Sequence, residues 1–468
     1  MRLFKDLKLK EQVLPLAILA LSDVAVFAFP SYMSNFLPNL HEKMGILQSE
    51  LSMLRSIYGT ISIFIYFFSM SFVDRFRCKT LILAGLGLMF FLGVWYSLVP
   101  IIIGTNTNQT AYSINFWNYL LIFIAFSIAI KLLYWSPLWK LVAMQGSKEQ
   151  VGTMNGIQGS INGGIGVILA CIGVVFYFID PKIKGFSLGF PILAGVYSII
   201  LSLSIFLTWK YVKEDISQTE VVSFKSTIRN IFQHAKNIQL WLFGFVVMGI
   251  YMYQMGLGTY TDYLKNIIGI SVAIIFILGL VRTYAMRFIA SYFMGKLTDK
   301  INNYIMTIIF GLAIASGLTF MAVALPGFAN NFVMQQNKLI IQIFAGINMV
   351  LLGLITWCLV TIRWSPIGTQ LGIASNQYAT AVAFISMIAF TPDAFFQAIK
   401  SVIEQRYNFV NAEGKIVANQ MGSQLILVVS LSIGVTGLLI AMVLQLLIQR
   451  KQKLLLVLPI KIDNKLNL

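Results

Sequence analysis

Residues 69–80 read SMSFVDRFRCKT, a cluster of charged residues between two long apolar runs. Residues 292–300 read YFMGKLTDK and occupy the same kind of position, again between two apolar runs. In both segments an aspartate, Asp74 or Asp299, is followed directly by a basic residue. The two aspartates are separated by close to half of the 468-residue chain. A repeat at that period predicts a protein built from two similar halves.

The composition places these halves in a membrane. Hydrophobic residues make up 58% of the chain and charged residues only 11%, and the mean hydropathy is +0.81, which is too apolar for a water-soluble fold. Apolar stretches of about 20 residues, the length that a helix needs to cross a bilayer, recur from end to end. They predict an all-α integral membrane protein rather than a barrel. The twelve predicted transmembrane helices are 13–36, 51–72, 81–103, 114–138, 153–178, 188–210, 238–261, 270–293, 304–325, 339–362, 372–399 and 422–448.

The distribution of the 34 Lys and Arg residues indicates an orientation. With both termini in the cytoplasm, most of these cations fall in cytoplasmic segments, as the positive-inside rule requires. The basic residues behind the net charge of +17 then serve to orient a multi-pass protein in the plasma (inner) membrane. We therefore expect no nucleic acid partner. The N-terminal MRLFKDLKLK imitates a signal peptide, but the apolar run after it is too long, so we interpret it as an uncleaved first helix.

No pattern typical of a cofactor or a catalytic centre is present in the sequence. The three cysteines show no paired spacing and the two histidines are far apart, so neither a disulfide framework nor a metal site is indicated. The sequence has no phosphate-binding P-loop, zinc-protease motif or nucleophile elbow. We therefore expect no cofactor, no metal and no enzymatic activity, and an energy supply from gradients or exchange.

The longest polar stretch divides the predicted helices six and six. It spans 211–237, between an N-terminal bundle at 1–210 and a C-terminal bundle at 238–468 that ends in a short basic tail. Apolar residues recur at helical spacing in this stretch, beside basic ones, so part of it fits the inner membrane surface. A passive cytoplasmic linker is the alternative.

The two charged segments resemble a motif of one transporter family. MGKLTDK and, less closely, VDRFRCK are similar to the loop G-x-L-x-D-R-x-G-R-R that members of the major facilitator superfamily carry after the second and eighth helices. The first copy has Met70 where glycine is usual, which weakens the close helix contact that glycine permits. The resemblance implies two pseudo-symmetric six-helix bundles. The gating residues that it implies are Asp74, Arg75, Gly295, Asp299 and Lys300.

A narrower likeness extends over most of the chain. Segments such as SIYG at 56–59, YW at 134–135 and TPDAF at 391–395 are similar to a poorly characterised bacterial branch near the organophosphate and sugar-phosphate antiporters. Members of that branch usually carry an Arg-Gly pair in the tenth helix, where this sequence has Thr-Trp-Cys at 356–358. The identity of a ligand therefore does not transfer. Asp393, in the last of these segments, falls at an outer helix end, where we expect it to be solvated.

Charged residues inside the predicted helices are the most informative, because each costs on the order of 3 kcal/mol at the bilayer centre unless it faces a cavity or a partner. Five are present: Asp23, Arg55, Lys131, Arg282 and Arg287. Four cations and one carboxylate leave a positive interior, which favours an anionic substrate. The alternative is internal pairing of Asp23 with Lys131 or Arg282. We expect Arg287 to contact the loop of Asp299 or the inner membrane surface.

The substrate site is expected where cations, aromatic rings and polar groups share helix faces. In the superfamily the fourth helix lines the cavity, which makes Lys131 a ligand candidate together with its aromatic neighbours. Arg55 and Tyr58 fall on one face of the second helix, and the seventh helix carries a polar stripe. Hydrogen bonding between helices is the alternative role for such groups. The candidate substrate-binding residues are Arg55, Tyr58, Lys131, Tyr134, Trp135, Tyr251, Gln254 and Arg282.

Two carboxylate roles remain open at this stage. Asp23 is either a proton-coupling site or a counter-ion. Asp74 and Asp299 are expected to hold the cytoplasmic ends of neighbouring helices together, with basic side chains or helix N-terminal amides as partners. For the degenerate first copy, a solvated anchoring loop is the alternative.

Together these observations predict a secondary active transporter of a small organic anion, a sugar phosphate or a carboxylate, that works by alternating access with exchange or proton coupling. It is expected to be a monomer that contacts membrane lipid. One alternative is a proton-coupled carrier of a neutral nutrient or a drug exporter, in which Asp23 is essential and the cations are structural. A second alternative is a non-transporting membrane receptor or scaffold.

Overall fold

The computed structural model describes residues 9–33, 40–104, 111–179, 182–183, 186–214, 224–327, 336–410 and 416–457. In these ranges twelve helices are long and apolar enough to cross a membrane, which confirms the predicted number. They are α1 Glu11–Tyr32, α2 Gln48–Arg75, α3 Cys78–Ile103, α4 Ile114–Ala143, α5 Lys148–Gly173, α6 Gly189–Tyr211, α7 Ile238–Asn266, α8 Val272–Ile301, α9 Tyr304–Ala324, α10 Lys338–Ile362, α11 Ser375–Tyr407 and α12 Gln420–Gln452. Regular helix continues to Ile179 in α5 and to Val457 in α12.

Shorter elements connect the transmembrane helices or form their ends. A short helix at Leu40–Met44 precedes α2, and a linker helix at Phe224–Lys236 precedes α7. The remaining short elements are 3-10 turns at Val73–Arg75, Lys148–Gln150 and Ser375–Gln377, an antiparallel pair of β1 Lys182–Ile183 with β2 Phe186–Ser187, and a second pair of β3 Phe409–Val410 with β4 Ile416–Val417. Part of the predicted linker, 215–223, and residues 458–468 of the predicted basic tail lie outside the described residues.

Several transmembrane helices are irregular where they carry candidate site residues. π-helical turns occupy Ala28–Tyr32 at the end of α1, Ile128–Tyr134 in α4 and Val281–Ala285 in α8. Such turns add a residue to one helical turn and are frequent at functional sites. In α1 the turn includes Pro30, which has no backbone N–H to donate. The extra residue in α4 changes which side chains point inward on either side of it.

α11 is broken near its middle and is longer than predicted. Its two segments, Tyr378–Ala389 and Pro392–Tyr407, meet at a turn, where Pro392 removes a backbone donor. The predicted helix ended at 399, where the apolar character ends, but the polar residues that follow stay helical. Lys400 and Glu404 form an ion pair at i,i+4 with 3.7 Å between Nζ and Oε1, a spacing that supports an exposed helix.

The two halves, α1–α6 and α7–α12, meet mainly along two helix pairs, α5 with α8 and α2 with α11. At the α5–α8 crossing, a Cβ added to Gly295 would lie 2.2 Å from the carbonyl oxygen of Gly152 and 2.9 Å from the Cα of Gly156. The backbones therefore approach each other more closely than any larger residue allows, as expected for small residues at a membrane helix contact. The bounds predicted for the bundles and the linker stay predictions.

Large apolar side chains are found both in the interior and on the outer surface. Phe91 and Ile102 of α3 are 70% and 75% exposed, and Phe64 of α2 is 63% exposed. A water-soluble protein would bury such residues, whereas a helix that faces lipid presents them outward. The exposed apolar belt is thus consistent with a multi-pass membrane protein.

Candidate functional site

A cavity of about 400 Å³ lies between the two halves and is lined by α1, α2 and α4 from the first half and by α7, α8, α10 and α11 from the second. Its charged lining residues are Asp23, Arg55, Lys131, Arg287, Arg363 and Asp393. Four cations and two carboxylates give this lining a formal surplus of two positive charges. Its volume falls in the range of a small-molecule site.

Lys131 lies inside a cage of aromatic rings. Its Nζ is 5.3 Å from the ring centroid of Phe390 and 5.4 Å from those of Tyr58 and Tyr66. Phe27 and Trp135 complete the cage at 5.7 and 5.9 Å. The faces of aromatic rings attract a cation, but unlike a carboxylate they carry no negative charge to neutralise it. Among the described residues, no carboxylate oxygen lies within the 4.0 Å ion-pair distance of this ammonium.

Arg363 directly follows α10 and is surrounded by a second group of rings. Its guanidinium carbon is 5.1 Å from the ring centroid of Trp364 and 5.8 Å from that of Trp139. It is also 5.5 Å from Trp135 and 5.9 Å from Phe390, two rings that it shares with Lys131. No ion pair joins Arg363 to a carboxylate in the part of the chain that the structure describes. Two cations that have no ion-pair partner among the described residues therefore flank the same pair of aromatic rings.

The rings around Arg363 form an aromatic floor, defined here as Trp135, Trp139, Trp364 and Phe390. Trp135 lies 5.5 Å from Trp139, 6.3 Å from Trp364 and 5.7 Å from Phe390, measured between centroids. Trp135 also donates a hydrogen bond from Nε1 to Ser386 Oγ at 3.2 Å, which joins α4 to α11. Because Trp139 and Trp364 are almost fully buried, the floor closes the cavity toward the end of the bundle that carries Asp74 and Asp299, called here the motif end.

Asp23 lies in a polar cluster at the wall of the cavity. Its Oδ2 accepts hydrogen bonds from Asn162 Nδ2 at 2.7 Å and Gln158 Nε2 at 3.3 Å, and it lies 3.6 Å from Arg287 Nη2. The Arg287 guanidinium stacks over Trp357, with 4.6 Å from its carbon to the ring centroid. Asp23 is therefore paired, but with Arg287 and not with the predicted Lys131 or Arg282. Arg287 lines the cavity and does not reach the loop of Asp299.

Asp393 lies at the break in α11, across the cavity from Lys131. Its Oδ1 accepts a hydrogen bond of 2.5 Å from the hydroxyl of Tyr251 in α7. In the described chain it has no cation within ion-pair distance, although the charge of Lys131 acts on it through the cavity. The expectation that Asp393 lies at an outer helix end is wrong, because α11 continues to Tyr407 and Asp393 lines the cavity, where it is partly exposed.

The cavity extends away from the motif end toward Arg55, near the start of α2, and Gln397 of α11. Arg55 is partly exposed and Gln397 is exposed. The motif lies at the other end of α2, so the two ends of the site differ. The aromatic floor closes the motif end, while the opposite end reaches the surface.

Seven of the predicted site residues line this cavity and are brought together: Asp23, Arg55, Tyr58, Lys131, Trp135, Tyr251 and Gln254. Tyr134 and Arg282 are not in its lining. The hydroxyl of Tyr134 is 2.7 Å from Ser22 Oγ, a hydrogen bond between α4 and α1. The backbone carbonyl of Arg282 accepts a 2.9 Å hydrogen bond from Trp357 Nε1. For these two residues, substrate binding remains a prediction from the sequence alone.

Two charged residues of the cavity were missed as site residues. Arg363 comes one residue after the predicted end of the tenth helix and resembles a solvated flanking cation in the sequence. The signal that could have identified it is the pair of tryptophans at helical spacing in α4, Trp135 and Trp139, which supply its rings. Asp393 could have been recognised from Pro392, since a proline inside an apolar helix predicts a break.

At the motif end, Asp74 binds the start of α11. Its Oδ1 accepts a 2.7 Å hydrogen bond from Lys140 Nζ of α4, and both groups are buried. Its Oδ2 accepts from the backbone N–H of Thr380 at 2.8 Å and from the hydroxyl of the same residue at 2.5 Å. The neighbouring Arg75 is partly exposed. The first copy of the motif thus bonds to a helix N-terminus in the other half, despite Met70.

Asp299 binds the start of α5 in the corresponding way. Its Oδ1 accepts from the N–H of Gly152 at 2.9 Å and from the hydroxyl of Tyr304 at 2.6 Å. Its Oδ2 accepts from the N–H of Thr153 at 2.7 Å and from its hydroxyl at 2.5 Å. Lys300 is exposed. Each aspartate of the repeat therefore joins the two halves at a helix N-terminus, where a carboxylate is favoured.

No cluster of three potential metal ligands was found among the described residues.

The chain is similar over nearly its whole length to bacterial membrane proteins. It is 29% identical over 447 residues to a Mycoplasma pneumoniae protein named "Uncharacterized protein MG294 homolog", covering 92% of this chain and 91% of that protein. It is 22% identical over 390 residues to the Escherichia coli inner membrane protein YihN, covering 81% of this chain and 85% of that protein.

Solved structures share the fold. A bacterial homologue of the iron transporter ferroportin, in an outward-facing state, has a TM-score of 0.67 with 11% identity over 94% of this chain and 100% of its own. The transporter FucP in the outward conformation has a TM-score of 0.64 with 13% identity over 93% of this chain and 99% of its own. At this level of identity the likeness establishes the twelve-helix architecture alone.

The family model described as Major Facilitator Superfamily matches residues 18–391, which include both aspartates of the half-repeat and every charged residue of the cavity except Asp393. The predicted resemblance is confirmed, and with it the fold of two six-helix bundles. The chain belongs to the Major Facilitator Superfamily, a family of transporters that bind small-molecule substrates and work by alternating access.

Proposed function

We propose that this protein is a secondary active transporter of a small organic anion, such as a sugar phosphate or a carboxylate. The observation that carries the proposal is the pair of cations, Lys131 and Arg363, that flank Trp135 and Phe390 with no carboxylate within ion-pair distance in the described chain. A buried cation without a counter-ion is costly, and an anion in the cavity supplies the missing charge.

The two cations suit different parts of anion recognition. Arg363 presents a planar guanidinium that binds two oxygens of a carboxylate or phosphate side by side, and Lys131 adds a point charge. The rings beneath them offer flat apolar faces to the rest of a small organic molecule. At the wall of the cavity, the cluster of Asp23 and Arg287 supplies donors and acceptors for hydroxyl groups.

Alternating access gives the cavity its transport role. The aromatic floor and the bonds of Asp74 and Asp299 close the motif end, which is cytoplasmic in the predicted orientation. In this conformation an anion enters from the opposite side, near Arg55 and Gln397. Rocking of the two halves then opens the motif end and closes the entrance.

One observation favours a second candidate, a carrier of neutral polyhydroxylated nutrients. The carboxylate and two amides of the cluster around Asp23 bind hydroxyl groups without requiring charge on the ligand. Under this alternative, Lys131 and Arg363 serve only structural roles. The two candidates differ in which ligands bind and in which variants lose binding.

A thermal-shift screen of purified protein tests the proposal, because a ligand that binds only the folded state raises the apparent Tm. The ligands are glucose 6-phosphate, a set of carboxylates and the matched neutral sugars. We expect at least one anion to raise the Tm, and counterflow of that anion in proteoliposomes. Lys131→Gln and Arg363→Gln should each weaken its binding about ten- to a hundredfold, the value of one charge-assisted hydrogen bond.

Lys265→Gln is the matched control, since Lys265 is exposed at the end of α7 and outside the cavity. It should bind the anion as the parent protein does. Arg282→Gln tests a residue that was predicted from the sequence but does not line the cavity. A smaller loss of anion binding than in Arg363→Gln supports the cavity as the binding site. Binding of a neutral sugar with full affinity in both Lys131→Gln and Arg363→Gln would overturn the anion proposal.

A further inference from the structure

A carboxylate at the helix break of α11 has the position of a proton-binding group. We propose that Asp393 binds the proton that is transported together with the anion, so that the carrier is a proton symporter and Asp393 is its coupling residue. This inference rests on the proposed function for the anion, but the proton site itself is testable without any ligand.

The first argument is the difference between the two carboxylates of the cavity. Asp23 has three donors at one oxygen, Arg287, Asn162 and Gln158, and one of them is a cation. Asp23 therefore has a cation of its own as a partner and acts as a counter-ion. Asp393 accepts one hydrogen bond, from the neutral hydroxyl of Tyr251, in the described chain. Of the two carboxylates, only Asp23 has a cation within ion-pair distance among the described residues.

Four titratable groups from three neighbouring helices act on Asp393. They are Tyr251 of α7, Lys131 of α4, and Tyr58 and Tyr66 of α2. Lys131 is the charged one among them. Its ammonium is also the cation that we assign to the substrate anion. Asp393 and the anion therefore compete for the same positive charge.

This competition couples the two binding events. In the empty cavity, the charge of Lys131 compensates Asp393 across the intervening space. When an anion binds at Lys131, its negative charge repels the Asp393 carboxylate, and a proton from the solvent added to an Asp393 oxygen removes that repulsion. Proton and anion then bind with positive cooperativity, and by linkage the anion binds more tightly as the pH falls.

Asp393 also lies at a contact between the two halves, where a proton-coupling group can affect the transport cycle. A Cβ added to Gly59 of α2 would lie 2.7 Å from the Asp393 carbonyl oxygen and 2.7 Å from its Cβ. The residue is therefore packed at the crossing of α2 and α11, one of the contacts between the halves. Rocking of the halves changes this crossing, and so changes the access of Asp393 to one side of the membrane or the other.

The ligand-free test is an infrared pH titration of the purified protein. A protonated carboxyl group gives a C=O band that an ionised carboxylate lacks. Above about pH 5, where exposed Asp and Glu side chains remain largely ionised, we expect a component of this band that grows as the pH falls and is missing in Asp393→Asn. Tyr251→Phe keeps the ring but removes the donor to the carboxylate, and should move the appearance of the band to higher pH. Asp262→Asn, at an exposed ion pair with Lys400, should leave the band unchanged. Persistence of the full band in Asp393→Asn overturns the proposal.

The coupling test uses glucose 6-sulfate, an anion whose own charge is constant from mildly acidic to neutral pH. In the parent protein its affinity should rise by up to about tenfold for each unit of pH decrease, the limit for one linked proton. In Asp393→Asn the affinity should be independent of pH. If Asp23→Asn removes the pH dependence and Asp393→Asn keeps it, the coupling residue is Asp23 and the proposal fails. If no anion binds to the parent protein at all, the proposed function fails, and the infrared titration still decides whether Asp393 binds a proton.

Discussion

Asp23 of α1 and Arg287 of α8 form an ion pair across the boundary between the two halves, with 3.6 Å between Oδ2 and Nη2. Both side chains are buried at the wall of the cavity. The pair therefore contributes both to the polar surface of the site and to the contact between the halves. Its loss should be visible in stability as well as in transport.

We expect Asp23→Asn to lower the stability of the purified protein by about 3 kcal/mol, because it leaves Arg287 buried without a carboxylate. The drop in Tm measures this effect. In the double variant Asp23→Asn with Arg287→Gln, part of the lost Tm should return, since no unpaired charge remains. If the Tm losses of the two single variants add up to the loss of the double variant, the two charges have no net coupling.

Gly295→Ala should prevent full closure of the motif end. The new Cβ would lie 2.2 Å from the carbonyl oxygen of Gly152, a backbone atom that cannot move aside without a shift of α5. The expected result is a large loss of transport and a longer α5–α8 distance between spin labels at the motif end. Gly317→Ala in α9 is the matched control, because nothing lies within 4 Å of its added Cβ. Equal transport in the two variants would contradict the proposed role of the close crossing.

Neutralising the aspartate should lower stability more in the first copy of the motif than in the second. Asp74→Asn leaves Lys140 buried without its carboxylate, whereas the described partners of Asp299 are neutral donors. We therefore expect Asp74→Asn to lower the Tm more than Asp299→Asn does. Both variants should also weaken closure of the motif end. Cysteines introduced between that end and the aromatic floor should therefore be labelled more. A Tm that falls only in Asp299→Asn would indicate that the degenerate first copy is a solvated loop.

The linker helix should be released from the bundle in acid. His234 belongs to this helix and is buried against the bundle. Asn230 of the same helix accepts a 3.1 Å hydrogen bond from Gln377 of α11. Burial lowers the pKa of His234 below its ordinary value of 6.5, and the nearby Asp74 opposes this shift only in part. A histidine with a lowered pKa binds fewer protons when docked than when released, so docking is stable above about pH 6.5 and weakens as the pH falls below that value.

Hydrogen exchange, corrected for its intrinsic pH dependence, measures this release. Protection of residues 224–236 should fall between neutral pH and about pH 5.5 in the parent protein. In His234→Gln the protection should be the same at both pH values. A parent protein whose linker protection does not change with pH would refute the assignment.

The fold could be predicted from the sequence because lipid leaves few choices. Apolar runs of helical length give the number of transmembrane helices, and the Asp74 and Asp299 repeat gives the two halves. Lys131 and Arg55 were identified because a charge inside an apolar run needs a cavity or a partner. Arg363 and Asp393 were missed for the complementary reason, since each lies where a helix ends or breaks.

Partner choice was the other limit of the sequence. Asp23 pairs with Arg287 rather than with Lys131 or Arg282, and nothing in the linear pattern ranks these three cations. The choice depends on how α8 is rotated about its axis. That rotation follows from the glycine contact with α5 and from the π-turn at Val281–Ala285, which together place Arg287 inward and keep Arg282 out of the lining.

The aromatic floor has a consequence for release of the cargo. Trp135 and Trp139 belong to the first half, whereas Phe390 and Trp364 belong to the second. Any opening of the motif end must separate these rings, and Lys131 and Arg363 then no longer share Trp135 and Phe390. If the proposed anion binds between these two cations, its site is complete only while that end is shut. We therefore expect a weaker apparent affinity on the motif side of the membrane than on the opposite side, so that unloading is driven by dismantling the site itself.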